Sequence, residues 1–152
     1  MGKSKQIAAL PFRINARGAL EILLVTSRET QRWVIPKGWP WPNLADHKAA
    51  AEEAWEEAGV RGRTRRASLG TYVYEKRLEG GKVLPIKVHV YLLHVAEVAR
   101  HWPEIADRRR AWMSPAAAAK AVHEKQLKSL LRGLTEASVR FRATADRRKK
   151  PT

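Results

Sequence analysis

The sequence predicts an α/β fold, and three observations carry that prediction. Short apolar runs bounded by Gly, Pro and Asn recur along both halves of the chain, as β-strands require. Between them, residues 46–58 place Ala49, Ala50, Ala54 and Ala58 on one helical stripe and end at Gly59. After the last strand-like run, leucines at 127, 130, 131 and 134 repeat with helical spacing.

Taken in order, residues 6–14 and 19–27 read as strands, the first interrupted by Pro11, with a turn at Asn15-Ala16-Arg17-Gly18. Residues 32–38 read as a short buried strand that ends in the Pro36-Lys37-Gly38 turn, and 39–45 as a loop. The helix over 46–58 takes Asp46 as its N-terminal cap and Gly59 as the left-handed residue beyond its end. Residues 68–77 and 83–98 form a hairpin about Glu79-Gly80-Gly81, with His89, Tyr91 and Leu93 on one face and Val88, Val90 and Leu92 on the other. Residues 110–113 read as a final short strand. Ser114 then caps a helix with Pro115 at its first position, reaching about Val122, and 124–134 supply the last helical pattern.

The 46–58 helix also carries the chemistry. Glu53, Glu56 and Glu57 stand at i, i+3 and i+4, so at about 100° per residue they share one face. Like charges so placed repel one another unless a strong cation faces them, and a divalent metal ion meets that need.

Composition sets the frame. A chain of 152 residues with 44% apolar content suits one domain with a sizeable core, here residues 1–139, followed by a basic tail over 140–152 that is expected to be disordered. The formal charge of +15 is partly local, since residues 140–150 hold six bases against Asp146. The rest surrounds Arg61, Arg63, Arg65, Arg66, Lys76, Arg77, Lys82, Lys87 and Arg108-Arg109-Arg110, a surface suited to a polyanion. Nucleic acid is a second partner that the basic tail would fit. With no cysteine there is neither a disulfide nor a thiol chemistry. No apolar run nears the roughly 20 residues of a membrane span, which makes a cytoplasmic protein without membrane contact the expectation. The five histidines are scattered and read as structural or surface residues, His89 and His94 lying on opposite faces of their strand. Of the tryptophans, Trp33, Trp55 and Trp112 are expected to pack, whereas Trp39 and Trp41, in the loop before the acidic helix, are candidates for substrate contact. The sequence leaves the oligomeric state open.

Residues 38–60 resemble the Nudix box, whose pattern is Gly, five residues, Glu, seven residues, Arg-Glu-apolar-any-Glu-Glu-any-Gly-apolar. Gly38, Glu53, Ala54, Glu56, Glu57, Gly59 and Val60 match at the right spacing. Leu44 stands where the family has its first Glu, and Glu52 where it has Arg, a residue that helps orient the adjacent glutamate. Outside the box, Thr26-Ser27-Arg28, Gln31-Arg32-Trp33, Trp102-Pro103-Glu104 and Arg108-Arg109-Arg110-Ala111-Trp112 resemble the diphosphoinositol polyphosphate and dinucleoside polyphosphate branch.

That resemblance implies an α/β/α sandwich with a mixed β-sheet and a pyrophosphohydrolase acting on a highly phosphorylated small molecule. It implies Mg²⁺ as cofactor, with Mn²⁺ as a substitute, bound by Glu53, Glu56, Glu57 and the backbone carbonyl of Lys37. One box glutamate activates water in that family, leaving Glu53 and Glu56 as alternatives here. Arg28, Arg32, Lys37 and Arg109 become candidates for phosphate contacts.

Overall fold

The computed structural model describes residues 4–140, so the expected disorder of the tail lies outside the described residues except at Arg140. Eight strands and three helices follow in the order β1 (Ser4–Ile14), β2 (Leu20–Thr26), β3 (Trp33–Val34), β4 (Lys37–Gly38), α1 (Asp46–Ala58), β5 (Val60–Thr64), β6 (Gly70–Arg77), β7 (Val83–Val98), β8 (Arg110–Met113), α2 (Pro115–Ala121) and α3 (Lys125–Arg132).

One mixed sheet holds all eight strands. Its centre is the parallel pair β1 and β7, aligned from Ser4 opposite Ile86 to Phe12 opposite His94. The first half of β7 pairs with β6 and the second half with β5, both antiparallel. On its other edge, β1 pairs with β2 only at residues 12–14, and with β4 at Ile7 and Ala8. Because β2 meanwhile pairs with β3 through Val25 and Thr26, the segment from Trp33 to Gly38 fills the gap where β1 and β2 part. That splay is what delivers Lys37 and Gly38 to the middle of the sheet.

Strand alternation puts an apolar layer on each face. Ile7, Ala9, Leu23, Val25, Tyr91 and Leu93 pack against the alanine stripe of α1. Ala8, Leu10, Phe12, Ile22, Leu24, Val88 and Val90 pack on the opposite face with Ala118, Ala119, Leu127 and Leu131 of α2 and α3. The result is the expected α/β/α sandwich, in which small alanines let α1 lie close on the sheet.

Three local expectations differ from the structure, and two elements lie outside those expectations. Pro11 does not interrupt β1, because it falls between the stretch that pairs with β4 and the stretch that pairs with β2. Asp46 does not cap α1. Ala45 holds the cap position without a side-chain bond, and Asp46 instead pairs with Lys5 of β1 at 2.5 Å. The strand over 32–38 is two two-residue strands joined at Ile35 and Pro36, both buried. Strand β5 carries only Val60 as an aliphatic residue and so gives no alternating signal. It forms a bulged edge at Arg61 and Gly62, where a Cβ on Gly62 would collide with the backbone oxygen of His94. A further helical turn begins at residues 136–140, capped by reciprocal bonds between Thr135 and Ser138, and Val139 is buried in the α2/α3 core. Among the described residues no helix is long and apolar enough to cross a membrane.

Candidate active site

The C-terminal end of α1 is fixed by side chains from the segment before β8 and from β8 itself. Gly59 takes φ 66°, and a Cβ there would press on Trp102 and Arg110. The indole of Trp102 donates to the Glu57 carbonyl at 3.0 Å. Arg110 donates to the carbonyls of Ala58 at 2.8 Å and Ala99 at 2.5 Å, with its guanidinium 3.9 Å from the Trp102 ring. These donors satisfy carbonyls that a helix end leaves open and set a positive charge at the negative end of the helix dipole.

So anchored, α1 turns Glu53 and Glu57 toward a cleft of about 660 Å³. Lys37 and Gly38 line its floor, Trp39 and Trp41 one rim, Arg28, Arg32 and Trp33 a second side, and Tyr74, Lys76 and Glu124 a third. The expected site residues Glu53, Glu57, Lys37, Gly38, Arg28, Arg32, Trp39 and Trp41 thus meet in one place. Glu56 and Arg109 are not in its lining. The Glu56 backbone carbonyl accepts from the Glu104 amide, and the Arg109 guanidinium carbon lies 5.8 Å from the Trp33 ring centre.

Glu57 is 7% exposed. Burial pushes its carboxyl up to about 8, with Glu53 and Glu104 adding to the effect and Arg108 and Lys37 opposing it. Arg108 reaches Glu57 at 3.6 Å, Glu104 at 2.8 Å and the Thr26 carbonyl at 3.0 Å, joining α1, β2 and the segment before β8. Lys37 is held below the ordinary lysine range, burial being the main cause and Glu57 the main opposing one. Its ammonium lies 4.9 Å over the Tyr74 ring. Glu53 accepts a hydrogen bond from the Trp41 indole at 3.0 Å, and its carboxyl lies against the α-carbon face of Gly38, where any Cβ would overlap it.

The donor set suits a hard divalent cation. Two carboxylates on one helix face and a strand carbonyl at Lys37 are all oxygen donors, and burial raises the Glu57 carboxyl even with Arg108 and Lys37 beside it, so a further cation there would favour its charged form. Among the described residues no three His, Cys, Asp or Glu side chains converge on one cation position, Glu56 standing beside the cleft rather than in it. The two departures from the box find places in the fold: Leu44 packs against the α1 core, and Glu52 is half-buried on the helix.

Several participants were not among the expected site residues. Arg108, rather than its neighbour Arg109, enters the cleft. Gln6, Tyr74, Glu104 and Glu124 also line it, each from a different segment. The cleft balances its charges, with six Lys or Arg against six Asp or Glu, so the basic excess of the chain lies elsewhere on the surface.

Residues 4–134 match the NUDIX domain family model. The chain is 34% identical over 114 residues to diphosphoinositol polyphosphate phosphohydrolase 2 of Rattus norvegicus, covering 73% of this chain and 58% of that protein, so it spans less than two thirds of that relative. It is 32% identical over 146 residues to the protein of the same name from Homo sapiens, covering 90% of this chain and 76% of that one. In fold it is similar to the C. elegans Ap4A hydrolase (TM-score 0.63, 23% identity, 92% of this chain and 99% of that one). It is also similar to the NUDIX domain of Shewanella oneidensis NrtR in complex with ADP ribose (TM-score 0.64, 16% identity, 93% and 90%). With the box residues gathered at one cleft and the family model spanning the folded region, the chain belongs to the Nudix family and is a pyrophosphohydrolase.

Proposed function

We propose that the cleft hydrolyses a phosphoanhydride bond of a highly phosphorylated small molecule, a dinucleoside polyphosphate or a diphosphoinositol polyphosphate-like compound, with Mg²⁺ as cofactor and Mn²⁺ as a substitute. The observation that carries this reading is the pairing of Glu53 and Glu57 on one helix face, above Gly38 and beside Arg28, Arg32 and Lys37. The names of the diphosphoinositol polyphosphate phosphohydrolases support the substrate class.

Glu53, Glu57 and the Lys37 carbonyl would hold the ion, with Glu56 completing the set from its neighbouring position. When bound, it neutralises charge on the phosphoryl oxygens and on the leaving phosphate. The protein's own groups supply the remainder. Arg28 and Arg32, both exposed at the cleft, receive outer phosphates, while Lys37 approaches from the floor. Glu53, oriented by the Trp41 indole, is better placed than Glu56 to take a proton from an attacking water.

The test is phosphate or nucleotide release from a panel of polyphosphates with and without Mg²⁺. Hydrolysis that requires the ion and is lost in Glu57→Gln, with the circular dichroism spectrum unchanged, is the expected result. Wild-type turnover by that variant at saturating Mg²⁺ would remove α1 from the reaction.

A further inference from the structure

One wall of the cleft carries a carboxylate that the reaction above does not use. Glu124 lies at the N-cap of α3 but makes no side-chain cap bond, so the usual local use of an acid at that position is absent. Its Oε1 is closed off from solvent and accepts no hydrogen bond, although the residue forms part of the cleft lining. Nearby polar groups are directed elsewhere. The Tyr74 hydroxyl donates to Gln6 at 2.8 Å, Gln126 accepts from the Val73 amide at 2.6 Å, and the Lys37 ammonium sits over the Tyr74 ring. The Glu124 charge is felt at Lys37 and Tyr74, adding to burial in holding the Tyr74 phenol up to about 12.

A carboxylate accepts hydrogen bonds and repels phosphate. This end of the cleft therefore requires a donor, and the carboxyl reaches one by turning about its soft terminal torsion. Trp33, Trp39, Trp41 and Tyr74 add aromatic surface around the same space.

Resting on the phosphoanhydride-hydrolase reading, we propose that Glu124 is a specificity-determining residue: it accepts a hydrogen bond from the amine or hydroxyl of a nucleoside. The cleft then selects polyphosphates that carry a nucleoside over those ringed entirely by phosphate. The residue acts on binding of the non-reacting part of the substrate and not on bond cleavage.

The experiment uses the full chain with Mg²⁺, and compares diadenosine tetraphosphate with a diphosphoinositol pentakisphosphate for wild type, Glu124→Ala and Glu124→Gln. Wild type should favour the nucleotide. Glu124→Ala should raise KM for the nucleotide about tenfold, the size of a lost charge-assisted hydrogen bond, with kcat within about twofold. Glu124→Gln, which keeps an acceptor oxygen, should recover most of that loss, and KM for the inositol compound should not rise in either variant. An unchanged nucleotide KM in Glu124→Ala, an equal effect on both substrates, or a wild-type preference for the inositol compound overturns the proposal. Should wild type cleave neither compound, the hydrolase reading fails, and AMP binding followed by tryptophan fluorescence still decides the role of Glu124. Binding weakened about tenfold by Glu124→Ala upholds it, and unchanged binding overturns it.

Discussion

The Trp41 indole nitrogen donates to Glu53 across 3.0 Å, from the loop before α1 to a carboxylate in its third turn. The Nudix pattern places an arginine at position 52 to orient that glutamate, and this chain has Glu52 there. The indole supplies an orienting donor from a different direction. Trp41→Phe keeps an aromatic ring at the rim and removes only the donor. It should lower kcat about three- to tenfold and raise the Mg²⁺ concentration for half-maximal activity, in line with one hydrogen bond to a charged group. Calorimetric titration of Mg²⁺ checks the second effect without turnover, and identical isotherms would show the bond to be incidental.

Gly38 bears on the same carboxylate. A Cβ at that position would occupy the space of the Glu53 carboxyl, which can swing away because it ends a flexible side chain. Gly38→Ala should therefore leave the melting temperature within a few degrees of wild type while reducing turnover by about a hundredfold, since the displaced group is lost to a positioned site. A large loss of stability with residual activity intact would place the role of Gly38 in the backbone instead.

The buried carboxyl of Glu57 makes stability depend on pH in a direction opposite to that of a paired acid. Its ordinary value is 4.5 and its folded value about 8, so between these the folded chain keeps a proton that the unfolded chain has released. Stability of the metal-free protein should fall as pH rises from 5 to 8, by at most about 1.4 kcal/mol per pH unit. Saturating Mg²⁺ should flatten the dependence, because the ion favours the charged form, and Glu57→Gln should flatten it without any ion. Urea denaturation at several pH values in EDTA is the measurement. A rise in stability over that window would mean that Glu57 is charged in the fold.

Arg108 holds the opposite side of Glu57 and has only 9% of its side chain exposed. Arg108→Met fills similar length but leaves Glu57 and Glu104 without their shared cation and the Thr26 carbonyl without this donor. The loss should be about 3 kcal/mol in urea unfolding at pH 8, and smaller at pH 5 where Glu57 is protonated. A penalty independent of pH would trace instead to the bonds with Glu104 and Thr26.

Much of this protein was legible in the sequence because its signals are local. The alanine stripe and Gly59 set α1, and the spacing of Glu53 and Glu57 put two acids on one helix face whatever lies around them. Ser114 and Pro115 started α2 by bonds within a single turn, as the Ser114 hydroxyl accepting from the Ala117 amide shows. Glycine, acids and alanines at fixed intervals also carried the family resemblance, and with it the fold.

Tertiary structure decided what depends on distant segments meeting. Strand β5 is a strand because β7 offers it an edge, not because its Val-Arg-Gly-Arg-Thr sequence favours one. Asp46 falls one residue inside the cap position, which Ala45 holds, and pairs with Lys5, forty-one positions away, a contact that only the packing of α1 beside β1 creates. Arg108, not Arg109, faces Glu57 because alternation along the approach to β8 sends neighbouring side chains to opposite sides, a parity that only the pairing of β8 with β2 fixes. Glu124 and Tyr74 reach the wall of the cleft by the packing of α3 on β6. Sequence spacing sets what one element presents, whereas charge balance and burial in a cleft arise from several elements at once and exist only when the sheet is assembled.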